Sequence, residues 1–371
     1  MIWLELYKSL RESREEKKLN KYKIAVIPGD GIGVEVVSSA LEVLSHISKK
    51  NDFELKFSNF DWSSEYYFKN GVMMPDDGIN QLTEFDAIFL GAVGHPDIQD
   101  HITLNGLLLP IRRAFDQFAC VRPSILYPGV ETPLKNIKPY DVDFIVVREN
   151  TEGEYANVGG FQYKNFPEEV AVQSAVFTRK GCERVIRYAF ELALERNKKN
   201  HVTSITKSNA QGYSMTLWDR CFEDIKSEYP KVSTNSLLID AACMDFIRKP
   251  TEFDVVVASN LFGDILTDIG AIITGSMGLA SSGNIDPTRK NPSMFEPTHG
   301  SAPDIVGKEI SNPMAQILTG GIMLSHLGET EAAKELENSV KKVIESGEIL
   351  TPDLGGHSKT KEVTQAIISK L

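Results

Sequence analysis

Short runs rich in β-branched residues alternate with amphipathic helical patterns along almost the whole 371-residue chain. Extended runs such as KIAVIP and FDAIFLGA are separated by segments such as GCERVIRYAFELALERN, where apolar residues recur at spacings of three and four. Because helices between strands cover both faces of a sheet, the alternation predicts an α/β fold with a largely parallel sheet. Residues 160–179 (GFQYKNFPEEVAVQSAVFTR) differ, since two extended runs flank polar residues and a proline, which predicts a hairpin arm.

The first predicted strand runs into three glycines, Gly29, Gly31 and Gly33, just before a helical pattern begins. Strand, glycine turn and helix also make up the dinucleotide-binding fingerprint, whose third glycine allows the helix to pack closely on the strand. That third position is Val34 here, because the last glycine comes one residue early. The segment is therefore interpreted as a tight turn at the mouth of the sheet and not as a Rossmann fingerprint.

Charge and composition exclude several classes of protein. The net charge of -11, with no basic block to offset it, argues against nucleic-acid binding. The four cysteines are widely spaced, which indicates reduced thiols and a cytoplasmic protein. No apolar run approaches the roughly 20 residues that a bilayer span requires, so no membrane association is expected. Residues 1–20 are charged and are expected to form a peripheral extension.

Two carboxylates in SNLFGDILTDIG, Asp264 and Asp268, provide the strongest local signal for chemistry. Residues four apart share one face of a helix, and like charges placed there repel unless a cation lies between them. Oxygen ligands favour Mg²⁺ or Mn²⁺. Asp240, at the end of another strand-like run, is a candidate third ligand. The alternative is a pair of solvated surface acids, which is less favoured because a predicted strand leads directly into the pair.

Arginines are concentrated in GLLLPIRRAFDQFACVRP, which contains Arg112 and Arg122, and Arg148 follows the apolar run FIVV. The planar guanidinium group suits carboxylates, so convergence of these side chains would create a site for an anion. Each of them taken alone is ordinarily a solvated residue or a salt-bridge partner. Tyr155 and Lys207 are candidate acid–base groups under the same reservation.

A loop of small residues follows in FEPTHGSAPDIVGKEISNP. Its backbone N–H groups are suited to phosphate, the imidazole of His299 to stacking on a base, and Asp304 to ribose hydroxyls. A purely structural loop is the alternative.

Taken together, PGDGIGVEV, LLLPIRRAFDQFACVRP, VVRENTEGEY, FDVVVASNLFGDILTD and FEPTHGSAPDIVGKEISNP resemble the β-decarboxylating dehydrogenases. This family comprises isocitrate, 3-isopropylmalate, homoisocitrate and tartrate/D-malate dehydrogenases. The resemblance runs from about Tyr22 to the C-terminus, and GAVGHP and DHITLNGLLLPIRRAFDQ look most like the tartrate/D-malate branch. In that branch tryptophan and asparagine are expected at two positions where this chain has Asn105 and Cys120.

The resemblance implies a two-domain, non-Rossmann fold with an intersubunit β-arm. Residues 21–117 and 275–371 would form a discontinuous NAD-binding domain, and residues 118–274 a domain for metal, substrate and dimerisation. The family is dimeric, which implies that Lys207 and Asp240 complete the site of the neighbouring subunit. The hairpin arm would then join the two subunits.

The resemblance also implies a role for each candidate residue. Arg112, Arg122 and Arg148 would bind the carboxylates of a malate core. Asp240, Asp264 and Asp268 would hold Mg²⁺ or Mn²⁺, with Asp240 also contacting substrate. Tyr155 and Lys207 would be catalytic. The cofactor-binding residues would be His299, Gly300, Ser301, Ala302, Pro303, Asp304 and Asn312.

The implied activity is NAD-dependent, metal-dependent oxidation of a small 2-hydroxy dicarboxylic acid. The substrate would be D-malate, with decarboxylation to pyruvate and CO₂, or tartrate. Asp304 favours NAD over NADP because its carboxylate would repel a 2′-phosphate. Two alternatives stay open: 3-isopropylmalate dehydrogenase, which Leu107 and Leu108 would suit, and a catalytically silent regulatory subunit.

Overall fold

A computed structural model describes residues 19–371. Residues 1–18, the greater part of the expected N-terminal extension, lie outside the described residues. The described strands are β1 (Asn20–Gly29), β2 (Phe53–Asn59), β3 (Ala87–Ala92), β4 (Ala119–Ile125), β5 (Asp143–Glu149), β6 (Gly153–Gln162), β7 (Val170–Val176), β8 (His201–Thr206), β9 (Ser233–Leu238), β10 (Val255–Ala258), β11 (Gly283–Ile285) and β12 (Ser293–Phe295).

Helices alternate with these strands, as the sequence pattern predicts. They are α1 (Gly33–Lys50), α2 (Ser64–Asn70), α3 (Gly78–Leu82), α4 (Asp100–Thr103), α5 (Leu109–Ala114), α6 (Arg179–Arg196), α7 (Ser214–Lys226), α8 (Ile239–Arg248), α9 (Asn260–Ile273), α10 (Met314–Leu327), α11 (Thr330–Ser346) and α12 (Thr360–Lys370). A π-helical turn, Leu104–Leu108, joins α4 to α5, and short 3₁₀ turns lie at Pro250–Glu252, Met277–Leu279 and Pro352–Leu354. None of the described helices is long and apolar enough to cross a membrane.

Ten strands form one sheet in the order β2-β1-β3-β12-β11-β4-β5-β10-β8-β9. Pairing is parallel among β2, β1, β3 and β12 and again among β5, β10, β8 and β9. In the middle, β11 and β4 pair antiparallel with their neighbours. The sheet is thus largely parallel, as predicted, but it consists of two parallel halves joined through an antiparallel centre. A Rossmann sheet has no such centre.

Separate cores lie on the two halves. One is built on β5, β8 and β10 and contains Trp218, Phe222 and Phe246. The other half has a core on each face, one beneath α1, α10 and α11 and one beside Trp62 and Leu107. Strands β6 and β7 pair only with each other and form the predicted hairpin arm. The predicted arginines, Tyr155 and Asp264 lie near the seam between the two halves.

Candidate active site

A cavity of about 180 Å³ lies at this seam. Its walls come from β3, the π-helical turn, α5, β4, β5, the base of the arm, α9 and the segment after β12. The lining residues are Gly91, Ala92, Val93, Leu104, Leu108, Leu109, Arg112, Arg122, Arg148, Tyr155, Asp264, Glu296, Pro297, Thr298, His299 and Gly300. The structure therefore brings seven of the predicted site residues to one cavity: the three arginines, Tyr155, Asp264, His299 and Gly300.

The three arginines are buried and each is bonded to an oxygen acceptor. Arg112 Nη2 donates to Glu296 Oε1 at 2.5 Å. Arg122 Nη1 donates to Asp264 Oδ1 at 3.0 Å and to Thr267 Oγ1 at 2.7 Å. Such charged hydrogen bonds fix the direction of each guanidinium group. The three arginines therefore form a positively charged surface of fixed geometry on the cavity.

Arg148 is held on two edges by residues of α9. Its Nη1 bonds to Asp264 Oδ1, and its Nε and Nη2 donate to Asn260 Oδ1 at 3.1 and 2.8 Å. The guanidinium carbon also lies 5.2 Å from the centre of the Tyr155 ring, a cation–π distance. Burial, together with the neighbouring positive charges of Arg122 and Arg112, lowers the pKa of Arg148 despite the opposing effect of Asp264.

Tyr155 and Asp264 form a second contact across the cavity. Tyr155 Oη donates to Asp264 Oδ2 at 3.0 Å. Burial and the negative charge of Asp264 raise the pKa of Tyr155, so its phenol stays protonated and available as an acid. Burial also acts to raise the pKa of Asp264, but the guanidinium groups of Arg148 and Arg122 outweigh it and lower that pKa below its ordinary value. Asp264 is therefore the anionic centre of the cluster.

Asp268 lies one turn farther along α9, and burial and the charge of Asp264 raise its pKa. A cation between the two carboxylates would relieve that repulsion, and their oxygens suit a hard divalent metal. Within residues 19–371, however, no three His, Cys, Asp or Glu side chains lie close enough to hold a metal. One chain thus offers two of the three predicted ligands together.

Eight of the predicted site residues do not line the cavity: Lys207, Asp240, Asp268, Ser301, Ala302, Pro303, Asp304 and Asn312. Among these, Lys207 and Asp240 form a pair of their own. They follow the neighbouring strands β8 and β9, and Lys207 Nζ donates to Asp240 Oδ1 at 2.7 Å. Neighbouring strands lie about 4.8 Å apart, and β9 is three positions from β5, the strand that carries Arg148. The end of β9 is therefore roughly 14 Å from β5. Asp240 is 60% exposed, and Lys207 lowers the pKa of Asp240. The pair therefore lies apart from its own chain's arginine cluster.

The glycine turn after β1 packs against the loop His299–Asp304. Ile32 N donates to Ser301 O at 2.9 Å, and Gly31 adopts a φ of +58°. A Cβ at Gly31 would lie 2.1 Å from Ser301 O, so only glycine permits this close approach. The motif that imitates a dinucleotide fingerprint is a backbone support for the small-residue loop.

Comparison with known proteins agrees with this geometry. The chain matches the isocitrate/isopropylmalate dehydrogenase family over residues 23–367. It belongs to this family. The recognition made from the sequence motifs and the predicted non-Rossmann α/β fold are therefore confirmed.

Several members of the isocitrate/isopropylmalate dehydrogenase family are about half identical to the chain. A probable tartrate dehydrogenase/decarboxylase from Agrobacterium vitis is 51% identical over 94% of this chain and 97% of its own length. The tartrate dehydrogenase/decarboxylase of Pseudomonas putida is 48% identical over 95% of this chain and 98% of its own length. The D-malate dehydrogenase (decarboxylating) of Escherichia coli K12 is 49% identical over 93% of this chain and 97% of its own length. The crystal structure of isocitrate dehydrogenase from Methylococcus capsulatus superposes with a TM-score of 0.85 at 35% identity, covering 94% of this chain and 99% of that one.

Dehydrogenases of this family generally use NAD and a divalent metal ion. The loop His299–Asp304 has features that fit a nucleotide. His299 Nε2 is buried without a hydrogen-bond partner, and burial lowers the pKa of His299, so the ring is neutral. The side of Gly300 where a Cβ would project is open, and Asp304 is exposed. The predicted adenine contact Asn312 is already engaged, because its amide donates to Asp353 Oδ2 and accepts from Met314 N.

Buried residues that the sequence analysis did not single out hold the arginines of the cluster in place through hydrogen bonds. Glu296 accepts from Arg112 and, at 2.8 Å, from Asn284 Nδ2. Asn284 in turn accepts from Asn150 at 2.9 Å, and Asn260 holds Arg148. Glu296 comes directly after β12, and Asn260 comes two residues after the end of β10. Position just beyond a strand is therefore the signal that would have found them.

The two positions at which the chain departs from the tartrate/D-malate pattern do not line the cavity. Asn105 lies in the π-helical turn, and its Nδ2 donates to His101 O at 2.7 Å. Cys120 is buried on β4, where its Sγ lies 3.8 Å from Ser282 Oγ. The cavity wall near the π-helical turn is instead apolar and consists of Leu104, Leu108 and Leu109.

Proposed function

We propose that the protein is an NAD-dependent, divalent-metal-dependent dehydrogenase acting on D-malate, which it decarboxylates to pyruvate and CO₂, or on tartrate. The observation that carries the proposal is the convergence of Arg112, Arg122 and Arg148 with Tyr155 and Asp264 around one cavity. Three buried guanidinium groups at one site suit a ligand with two carboxylates. The names of the relatives at 48–51% identity support the same reaction.

The charges in the cavity favour a dianionic ligand. Three arginine cations face the carboxylates of Glu296 and Asp264, which neutralise only part of the positive charge. A small dicarboxylate would supply the missing negative charge and accept from the N–H groups not already bonded to protein. Arg122 and Arg148 would each exchange part of their contact with Asp264 for the substrate.

Asp264 and Asp268, with the partner subunit's Asp240, would hold Mg²⁺ or Mn²⁺. The bound cation would supply Lewis acidity at the C2 oxygen, and NAD would accept the hydride. Lys207 of the neighbouring chain would take the proton of the C2 hydroxyl. Tyr155 Oη, protonated and already directed into the cavity, would deliver a proton to C3 after the C4 carboxylate leaves as CO₂.

The loop around His299, Gly300, Ser301, Ala302, Pro303 and Asp304 would bind the adenosine half of NAD, with Asn312 near the adenine. The neutral His299 ring with its unpartnered buried Nε2 supports a base contact. The exposed Asp304 carboxylate would accept from ribose hydroxyls and repel the 2′-phosphate of NADP.

A homodimer would complete the site, since Lys207 and Asp240 lie apart from their own chain's cluster. Exposed apolar side chains mark a candidate interface on the adjacent helices α8 and α9: Met244 and Ile247, with Ile265 and Ile272. The arm also exposes large apolar groups, including Phe161 and Phe166. Exposed apolar side chains grouped on adjacent elements are typical of protein–protein contact.

The separate cores support a division into residues 21–117 with 275–371, for NAD, and residues 118–274, for metal, substrate and dimerisation. The four cysteines are all free, in keeping with a cytoplasmic protein.

A steady-state substrate panel tests the proposal. Wild-type enzyme with NAD and Mn²⁺ is assayed for NADH formation on D-malate, tartrate and 3-isopropylmalate, with NADP as the control cofactor. We expect the highest kcat/KM on D-malate or tartrate. The comparison with 3-isopropylmalate is needed because the cavity presents the leucines Leu104, Leu108 and Leu109. A hundredfold preference for 3-isopropylmalate would assign the protein to leucine synthesis, and absence of turnover on all three would indicate a silent subunit.

A further inference from the structure

The acceptors that hold the cavity's arginines differ in charge. Arg112 is bonded to a carboxylate, Glu296, whereas Arg148 places two of its five N–H donors on the neutral amide oxygen of Asn260. Arg148 and Asn260 are both almost fully buried, at 2% and 1% exposure. We propose that Asn260 is a positioning residue, which orients Arg148 for a substrate carboxylate without neutralising it; this rests on the function proposed above.

The orientation of the Asn260 amide is fixed by its surroundings. Nδ2 donates to Glu152 O at 3.2 Å and faces Glu149 Oε2 at 3.5 Å, whereas Oδ1 accepts from Arg148. Acceptors on one side and donors on the other leave a single orientation of the amide. The Asn260 side chain thus links the Glu149–Glu152 loop to the guanidinium group by hydrogen bonds.

The backbone geometry explains why a short side chain suffices. Asn260 and Asp264 lie four residues apart on α9, so they share the helix face that lies over Arg148. The helix packs closely here, because a Cβ at Gly263 would lie 2.6 Å from Arg148 Cβ. Asn260 accepts from the Nε edge of the guanidinium group, and Asp264 accepts from Nη1. Because both acceptors belong to the same helix, they fix the orientation of the group from two sides.

A neutral acceptor has a specific consequence for anion binding. Asp264 contacts both Arg122 and Arg148 and would turn part of its charge to a bound cation. Asn260 then keeps Arg148 in place without placing a second negative charge beside it. A carboxylate at position 260 would instead form an internal ion pair with Arg148 and would lie beside the buried Glu149.

A double-mutant cycle tests this role. KM and kcat are measured for wild type, Asn260→Ser, Arg148→Lys and the double variant. The substrate is whichever of D-malate, tartrate and 3-isopropylmalate wild type turns over best, since all three carry two carboxylates. A wrong choice of substrate in the proposed function therefore leaves this test intact. Asn51→Ser is the matched control, because Asn51 also donates to a glutamate, Glu335, but lies at the end of α1.

We expect Asn260→Ser to raise the KM for the hydroxy acid at least tenfold while kcat changes less than threefold and the KM for NAD less than twofold. In the Arg148→Lys background the same change should raise KM less than twofold, because the residue through which Asn260 acts is already altered. Equal effects in both backgrounds, or a parallel rise in the KM for NAD, would show a merely structural role and overturn the proposal.

Asn260→Asp separates charge from geometry and replaces the serine variant if that variant does not fold. Aspartate keeps an acceptor facing Arg148 but adds a negative charge. We expect a KM at least tenfold above that of wild type, with a melting temperature that confirms folding. A wild-type KM for Asn260→Asp would contradict the requirement for a neutral acceptor.

Discussion

The arginine cluster and the Lys207–Asp240 pair lie near the same sheet yet differ in almost every physical respect. The cluster is buried and crosslinked, with each guanidinium group bonded to an acidic or amide oxygen. The pair is a single ion pair, with Asp240 mostly exposed. An exposed ion pair contributes little to stability, whereas a buried, crosslinked set fixes geometry.

The difference is the one that the proposed homodimer would require. Recognition of an anion needs preorganised charge, and one chain builds that by itself. In the proposed homodimer, Lys207 as base and Asp240 as third metal ligand would reach the neighbour's cavity, in keeping with their more exposed position. Variants at Asp264, at Lys207 and Tyr155, and at Asp143 test this comparison, from the largest expected effect to the smallest.

Asp264→Asn should have the largest effect, because it removes a proposed metal ligand and leaves two buried arginines without their carboxylate. A catalytic metal ion contributes several kcal/mol of transition-state stabilisation, so kcat/KM should fall about a thousandfold or more. The measurement is NADH formation at saturating Mn²⁺, with the exposed Asp76→Asn as control. Substantial NADH production by Asp264→Asn under these conditions would refute the metal assignment.

Lys207→Met should lower kcat by about a hundredfold or more while NAD affinity stays unchanged, because it removes only the proposed base. Tyr155→Phe should be similarly impaired. If Lys207 serves the neighbour's site, a heterodimer of the two variants contains one intact site. Co-expression should then restore about a quarter of wild-type activity, because half of randomly assembled dimers are mixed and each has one good site.

Failure to recover activity, although mixed dimers are isolated with two affinity tags, would place Lys207 in the site of its own chain. The separate homodimers provide the baseline for this comparison. The result therefore tests the division of labour directly.

Asp143→Asn should have the smallest effect and serves as a reference for purely structural charge. Asp143 accepts from Arg196 and Lys198 outside the cavity. Burial acts to raise the pKa of Asp143, but these two cations outweigh it and lower that pKa. The ionised form is thus favoured in the folded state, and its stabilisation is present above the unfolded pKa of about 3.9 and is lost as pH falls through the lower folded pKa.

We expect Asp143→Asn to reduce the free energy of unfolding by about 2 kcal/mol at pH 7, with kcat/KM unchanged. The difference from wild type should shrink below about pH 4. Urea unfolding at pH 7 and pH 3.5 measures both, with the exposed Asp141→Asn as control. A pH-independent difference would show that packing, and not charge, makes Asp143 important.

Much of the fold was predictable from local pattern. The predicted strand runs and helical periodicity correspond to β1, β3, β5, β9, β10 and α6. The missing glycine at Val34 correctly excluded a Rossmann turn. The specific ordered motifs identified the family because they combine many residues, each of which is uninformative alone.

What the sequence did not predict depends on contacts between distant segments. No local pattern links Gly31 to Ser301, or Arg112 to Glu296, because each pair forms only when strands far apart in the chain become neighbours. Asn260 escaped notice because a single asparagine after a strand has no distinctive spacing. The separation of Lys207 and Asp240 from the cavity followed only from the family resemblance, not from the residues.

The antiparallel centre of the sheet has a consequence for folding during synthesis. Strands β11 and β12 join the two halves, yet they emerge after every other strand of the sheet. Until then β3 and β4 each have an open edge, which is the arrangement most prone to pairing with the wrong chain. The cavity lies at the same seam, so a nascent chain cannot assemble the arginine cluster around its ligand before these last two strands close the sheet.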